Sequence, residues 1–213
     1  MQKSEVIDLS NPNAQCDLLD DYPEEVMLAT GALLQNDKPL ICGGWNDQLI
    51  KNDKCNIIGK EGQIQLLEKR AASSSIAIDE DSLWITGGVN DDGHLKTTEF
   101  VNIKTLSSIP GPDLPIELAG HCMVKLNQTT VIVIGGENDN GIVDKTFLYN
   151  IDNPEFEVRS GPTLNLPRDG PGCGAFDLNG KLHLVVASGA HANETTEIWN
   201  TVSGKGWEMG NKL

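Results

Sequence analysis

The chain has 213 residues and a net charge of −15, with 31 acidic against 16 basic side chains. That balance disfavours nucleic acid and anionic membrane surfaces, because both are bound through basic patches. No apolar stretch approaches the ~20 residues that cross a bilayer. Met1-Gln2-Lys3-Ser4-Glu5 also lacks the apolar core of a secretion signal, so any leader is expected outside this sequence.

In chain order, residues 5–9 and 16–19 read as two short strands around a polar loop with Pro12, closing at Tyr22-Pro23. The next strand is expected over 28–34, with a turn at 35–38. A second strand reaches Cys42, and the polar loop 45–54 follows. Strands near 56–58 and over 64–67 complete this group. The pattern repeats with strands over 74–78, 83–86, 98–102 and 106–109, the loop between the second and third carrying Asp91-Asp92-Gly93. A third group runs 120–126, 130–134, 146–150 and 156–158. A fourth runs 174–178, 182–187, 197–200 and 206–209, with Asn179-Gly180 as a strong hairpin turn. No amphipathic helix of useful length interrupts the series.

The best-formed unit is Thr130-Val131-Ile132-Val133-Ile134-Gly135-Gly136. Consecutive β-branched residues without polar alternation specify a strand buried on both faces. The glycine pair supplies positive φ and lets another segment approach closely. The unit recurs as Leu40-Ile41-Cys42-Gly43-Gly44 and Leu83-Trp84-Ile85-Thr86-Gly87-Gly88, and in degenerate form as Leu184-Val185-Val186-Ala187-Ser188-Gly189. Gly43, Gly87, Gly135 and Ser188 are spaced by 44, 48 and 53 residues, a period of propeller blades rather than helical solenoids. With the aromatic strands Thr146-Phe147-Leu148-Tyr149-Asn150 and Glu197-Ile198-Trp199-Asn200, followed by Phe156 and Trp207, the chain resembles the kelch repeat.

The resemblance implies an all-β fold: a kelch-type β-propeller with an incomplete ring of four-stranded antiparallel blades. A half blade is expected over 1–23 and blades over approximately 26–68, 70–113, 117–163 and 168–213. Kelch rings usually hold six or seven blades, so the expectation is one propeller segment of a longer chain, open at both ends.

The five cysteines form no Cys-x-x-Cys pair, which disfavours zinc or thioredoxin chemistry. Buried free thiols are one reading. The blade assignment implies another: Cys42 with Cys55 across one hairpin and Cys122 with Cys173 between neighbouring blades, leaving Cys16 over. The sequons at Asn127 and Asn193 fall in expected turns. Together these features favour an extracellular or secretory location, with the cytoplasm as the alternative.

No Ser-His-Asp set or metal-ligand spacing emerges, and no cofactor is expected. The loops 90–93 and 137–141 are acidic, yet turn chemistry accounts for them without calcium. His121 is expected to bond a neighbouring segment, and His191 is the one histidine expected in a rim loop. The family includes the copper enzyme galactose oxidase, but Tyr22 and Tyr149, the two tyrosines here, match no such cluster. Candidate partner-binding residues on the post-glycine loops are Trp45, Asp47, Asp91, Asp92, Glu137, Asp139 and His191. Trp45 could equally pack on the next blade. Arg70 and Arg168 either line a partner face or form salt bridges between blades.

The expected function is a non-catalytic protein–protein interaction scaffold with an unidentified protein partner. The alternative is part of a galactose-oxidase-like copper oxidase whose active-site residues lie in other sequence. A cullin-ligase adaptor would need a helical BTB domain, which this sequence lacks.

Overall fold

The computed structural model describes residues 5–7, 10–11, 13–18, 21–23, 25–34, 38–59, 62–152 and 156–213. The expectations for residues 8–9, 19 and 35–37 lie outside these. The described residues form 22 strands and no helix.

A two-stranded sheet, β1 (Glu5–Val6) with β2 (Asp17–Leu18), precedes four four-stranded antiparallel sheets. Blade one consists of β3 (Thr30–Leu34), β4 (Lys38–Cys42), β5 (Lys54–Ile57) and β6 (Gln63–Gln65). Blade two has β7 (Ser74–Ala77) and β8 (Ser82–Thr86), then a small rim hairpin, β9 (Val89–Asn90) with β10 (Gly93–His94), before β11 (Thr98–Asn102) and β12 (Ser107–Pro110). Blade three repeats this with β13 (Cys122–Lys125), β14 (Thr130–Ile134), the hairpin β15 (Glu137–Asn138) with β16 (Gly141–Ile142), β17 (Thr146–Asn150) and β18 (Val158–Ser160). Blade four has β19 (Gly172–Leu178), β20 (Lys181–Ala187), β21 (Thr196–Asn200) and β22 (Glu208–Met209). Two segments expected as plain loops, after Gly88 and after Gly136, therefore contain paired strands.

The four sheets form a four-blade β-propeller arrangement. The first strands pack in succession, β3 on β7, β7 on β13 and β13 on β19, while no comparable contact joins β19 to β3. The core lies between blades, which explains the unalternated apolar runs. In β8, Leu83 and Ile85 join the cluster with blade one, while Trp84 faces Tyr149 and Phe147 of blade three. In β14, Val131 and Val133 face blade two, and Ile132 and Ile134 face Leu184 and Val186 of blade four. On β20 only Leu184 and Val186, the side toward blade three, are buried; Phe176 and Leu178 of the same sheet are exposed.

The glycine pairs lock each blade to the next. Gly43, Gly87 and Gly135 have φ of 64°, 56° and 64°. A Cβ on any of them would strike the carbonyl oxygen of Arg70, Leu118 or Arg168, respectively. The second glycine of each pair donates its N–H to that same carbonyl, at 2.9, 2.8 and 2.7 Å. Ser188 adopts the equivalent conformation, φ 58°, and no following blade among the described residues brings a carbonyl to its Cβ. A left-handed serine costs about 1–2 kcal/mol relative to glycine. Ser188→Gly should therefore raise stability by about 1 kcal/mol in denaturant unfolding, and an unchanged or lower midpoint would contradict this.

Both expected disulfides are present. Cys42–Cys55 joins directly opposed residues of β4 and β5, with Cα atoms 4.0 Å apart. Cys122–Cys173 links β13 to β19 across the boundary of blades three and four. Cys16 is free and exposed.

Candidate functional site

The strand-two-to-strand-three connections all leave the same rim. After each glycine pair, one residue bridges back to the segment leading into its own blade: Trp45 to Met27, Val89 to Ala71 and Glu137 to Ala119, with Ala190 to Asp169 as the fourth. An asparagine then sets the turn in three of the four. Asn46 Oδ1 accepts from Gln48 N, Asn90 Oδ1 from Asp92 N and Asn138 Oδ1 from Asn140 N, at 3.0, 2.8 and 2.9 Å. These Asx turns fix the tips and turn their acidic side chains outward. Asp47, Asp91, Asp92 and Asp139 are exposed.

Neighbouring tips touch. Lys51 of blade one reaches Asp91 of blade two at 3.0 Å, and its Nζ lies 5.6 Å from the Trp45 ring centroid. His94 Nδ1 is 2.7 Å from Asp139 Oδ1 of blade three, and its Nε2 is 3.9 Å from Glu137 Oε1. Asp169, on the lead-in to blade four, continues the line over Gly120, where a Cβ would collide with its carboxylate. Burial first, and then the Glu137 charge, raise the Asp169 pKa above the usual carboxylate value. The rim thus carries a band of carboxylates on three successive segments, the blade-two and blade-three hairpins and the lead-in to blade four, with Lys51 of blade one and His94 as cross-links.

The structure brings Trp45, Asp91, Glu137 and Asp139 into this band. Asp47 and Asp92 stand at exposed turns beside it. His191 is exposed with φ 64° and sits apart from these contacts. Trp45 is half-buried, and its indole Nε1 has no hydrogen-bond partner among the described residues. His94 is a correction to the expectation that His191 alone occupies the rim. Lys51 and Asp169 also escape a linear reading, since the contact to Asp91 spans 40 residues and that of His94 spans 45.

Arg70 and Arg168 are not partner-facing residues; their side chains are 1% and 0% exposed. Arg70 Nε donates to Glu99 Oε1 at 2.9 Å, and its Nη1 donates to the Gly87 carbonyl at 2.6 Å. Arg168 Nη2 donates to Glu197 Oε1 at 3.1 Å, and its Nη1 donates to the Ser188 carbonyl at 2.7 Å. Each arginine lies just before its blade and pairs with strand three of that same blade, so the ion pair pins the lead-in to the sheet. A buried, fully bonded guanidinium is unavailable to a partner.

His121 is structural as expected. Its Nε2 lies 2.7 Å from Thr86 Oγ1 of the neighbouring blade, and burial pushes its pKa down to about 3. His183 stacks on Phe176, with ring centroids 5.4 Å apart. Among the described residues no group of three His, Cys, Asp or Glu side chains is placed to hold a metal ion.

No family model matches the chain, and no curated protein matches it in sequence. Among solved structures, one titled "Structure of YjhT" superposes with a TM-score of 0.80 over 100% of this chain and 78% of that one, at 14% identity. At that identity the likeness concerns the fold.

Proposed function

We propose that the chain is a kelch-type propeller scaffold that binds a protein partner through its acidic rim, without catalysing a reaction. The observation that carries this reading is the band of carboxylates from Asp91 to Asp169. It is displayed on hairpins that are tied to the blades by backbone bridges and to one another by Lys51 and His94. Rigid loops on a rigid frame reduce the ordering entropy that binding must overcome. Exposed carboxylates of one sign favour a basic segment and accelerate its approach, in a salt-dependent way.

The test uses a lysine-rich peptide as probe, titrated into the full chain at low and physiological salt. Replacing Asp91, Asp92 and Asp139 together by asparagine should weaken binding about tenfold, equivalent to about 1.4 kcal/mol. These side chains are exposed, so the blades should fold as in the parent, although the Lys51–Asp91 and His94–Asp139 ties between hairpins lose their carboxylates. Equal affinity of the variant and the parent would remove the rim from the reading. Stoichiometric copper in the purified protein would favour the copper-oxidase alternative.

A further inference from the structure

The two sequons have opposite structural fates. Asn127 lies in the tight turn between β13 and β14 and is exposed, as are Gln128 and Thr129. Its side-chain carbonyl accepts from Thr129 N at 2.8 Å and from Thr129 Oγ1 at 3.1 Å. This is an Asx turn in which the threonine hydroxyl and the asparagine amide already meet. The carbonyl end of the amide is taken, while Nδ2 makes no hydrogen bond among the described residues.

Asn193 is also exposed, but its threonine is committed elsewhere. Thr195 Oγ1 donates to the Ala192 carbonyl at 2.6 Å and accepts from Arg168 Nη2 at 3.0 Å. It therefore belongs to the buried Arg168–Glu197 network. Ala192 is buried on one side of Asn193, and Glu194 on the other holds a positive φ of 59°. The hydroxyl that a glycosyltransferase reads is locked into the blade.

We propose that Asn127 is an N-glycosylation acceptor and that Asn193 is not. In the transfer, Asn127 Nδ2 forms a bond to the anomeric carbon of an oligosaccharide carried on a polyprenyl pyrophosphate. The sugar–pyrophosphate C–O bond breaks, the lipid pyrophosphate leaves with the electron pair, and the Nδ2 proton passes to a base of the transferase. The disulfides Cys42–Cys55 and Cys122–Cys173 fit the same oxidising compartment in which such donors are used. In an antiparallel blade the strand-one-to-strand-two turn lies opposite the strand-two-to-strand-three loop. The glycan therefore projects from the rim away from Asp91, Glu137 and Asp139, and the inference is independent of the partner reading.

The experiment places the full chain behind a cleavable secretion signal in a eukaryotic secretory host. Glycans are read by endoglycosidase-induced mass shift and peptide mapping. One glycan is expected, on Asn127. It should be lost in Asn127→Gln and in Thr129→Val, which keeps the asparagine, and retained in Asn193→Gln. A bare parent chain, a glycan that survives Asn127→Gln, or full occupancy at Asn193 would each overturn the proposal. A non-reducing peptide map showing the Cys122–Cys173 pair confirms that the compared variants are folded.

Discussion

Replacing Glu99 by alanine is expected to destabilise the protein by about 3–5 kcal/mol, the usual effect of removing one partner from a buried ion pair. For a chain of this size that is a fall in melting temperature of roughly 6–20 °C. Glu99 is fully buried. It accepts from Arg70 Nε at 2.9 Å and from Leu67 N at 2.9 Å, and it is bonded to Ser108 Oγ. Alanine would leave the buried Arg70 guanidinium with only its longer, 3.4 Å contact to the part-exposed Glu68 as a counter-charge, and would remove the acceptor of the Leu67 N–H. The first penalty is the larger because Arg70 is almost fully buried. Glu197 has the same role in blade four, accepting from Arg168, Asn165 N and Leu166 N.

The other two blades show how the fold dispenses with this charge pair. Register places Phe147 of blade three where Glu99 and Glu197 stand, because Phe147 opposes Val133 as Glu99 opposes Ile85 and Glu197 opposes Val186. Leu118 takes the arginine position, since its carbonyl accepts from Gly88 N as the Arg70 carbonyl accepts from Gly44 N. Three residues before each arginine stand Leu67 and Asn165, whose N–H groups need the carboxylate; three before Leu118 stands Pro115, which has none. Blade one repeats the logic with Pro23, Val26 and Asn56, and there the buried Asn56 Nδ2 donates to Tyr22 Oη at 3.0 Å. Acid, base and amide are thus present or absent as a set. The triple variant Leu67→Pro, Arg70→Leu, Glu99→Phe should accordingly melt closer to the parent than Glu99→Ala alone. A triple variant less stable than the single would show that the set does not act as a unit.

This pattern also marks the limit of a linear reading. Strands β8 and β14 were legible because burial on both faces forces a local signature: apolar, β-branched, then Gly-Gly. The cysteine pairs were legible because blade topology alone puts Cys42 opposite Cys55 and Cys122 beside Cys173. Arg70 and Arg168 could be read two ways, since the acids that bury them lie 29 residues downstream on strand three. The rim hairpins β9–β10 and β15–β16 were hidden for another reason. With two residues per strand they carry no periodicity, and only their Asn and Gly positions hint at a turn. His94 and Asp169 join the acidic band through tertiary placement, which no local signal records.

Removing the Cys122–Cys173 disulfide, by serine at both positions, should reduce stability more than removing Cys42–Cys55, and should do so unevenly. The closed loops span 51 and 13 residues. Chain entropy assigns them about 4 and about 3 kcal/mol, respectively. Location separates them further. Cys42 and Cys55 are directly opposed in a ladder that already holds β4 to β5. In the other blades the Cys55 position is Thr98, Thr146 or Thr196, each donating its hydroxyl to a backbone carbonyl, at 2.8, 2.9 and 2.6 Å. Losing that bridge should therefore lower global stability without loosening one region. Cys122 and Cys173 sit on the first strands of different blades, and among the described residues blade four is covered on only one face. Without the covalent tie its docking rests on the cluster around Leu184, Val186 and Trp207. Amide hydrogen exchange should then accelerate selectively across β19 to β22, with blades one and two near their parental protection. Exchange that rises uniformly, or that rises first in blade one, would mean that blade four is held by its apolar face and that the inter-blade bridge adds only to the unfolded-state term.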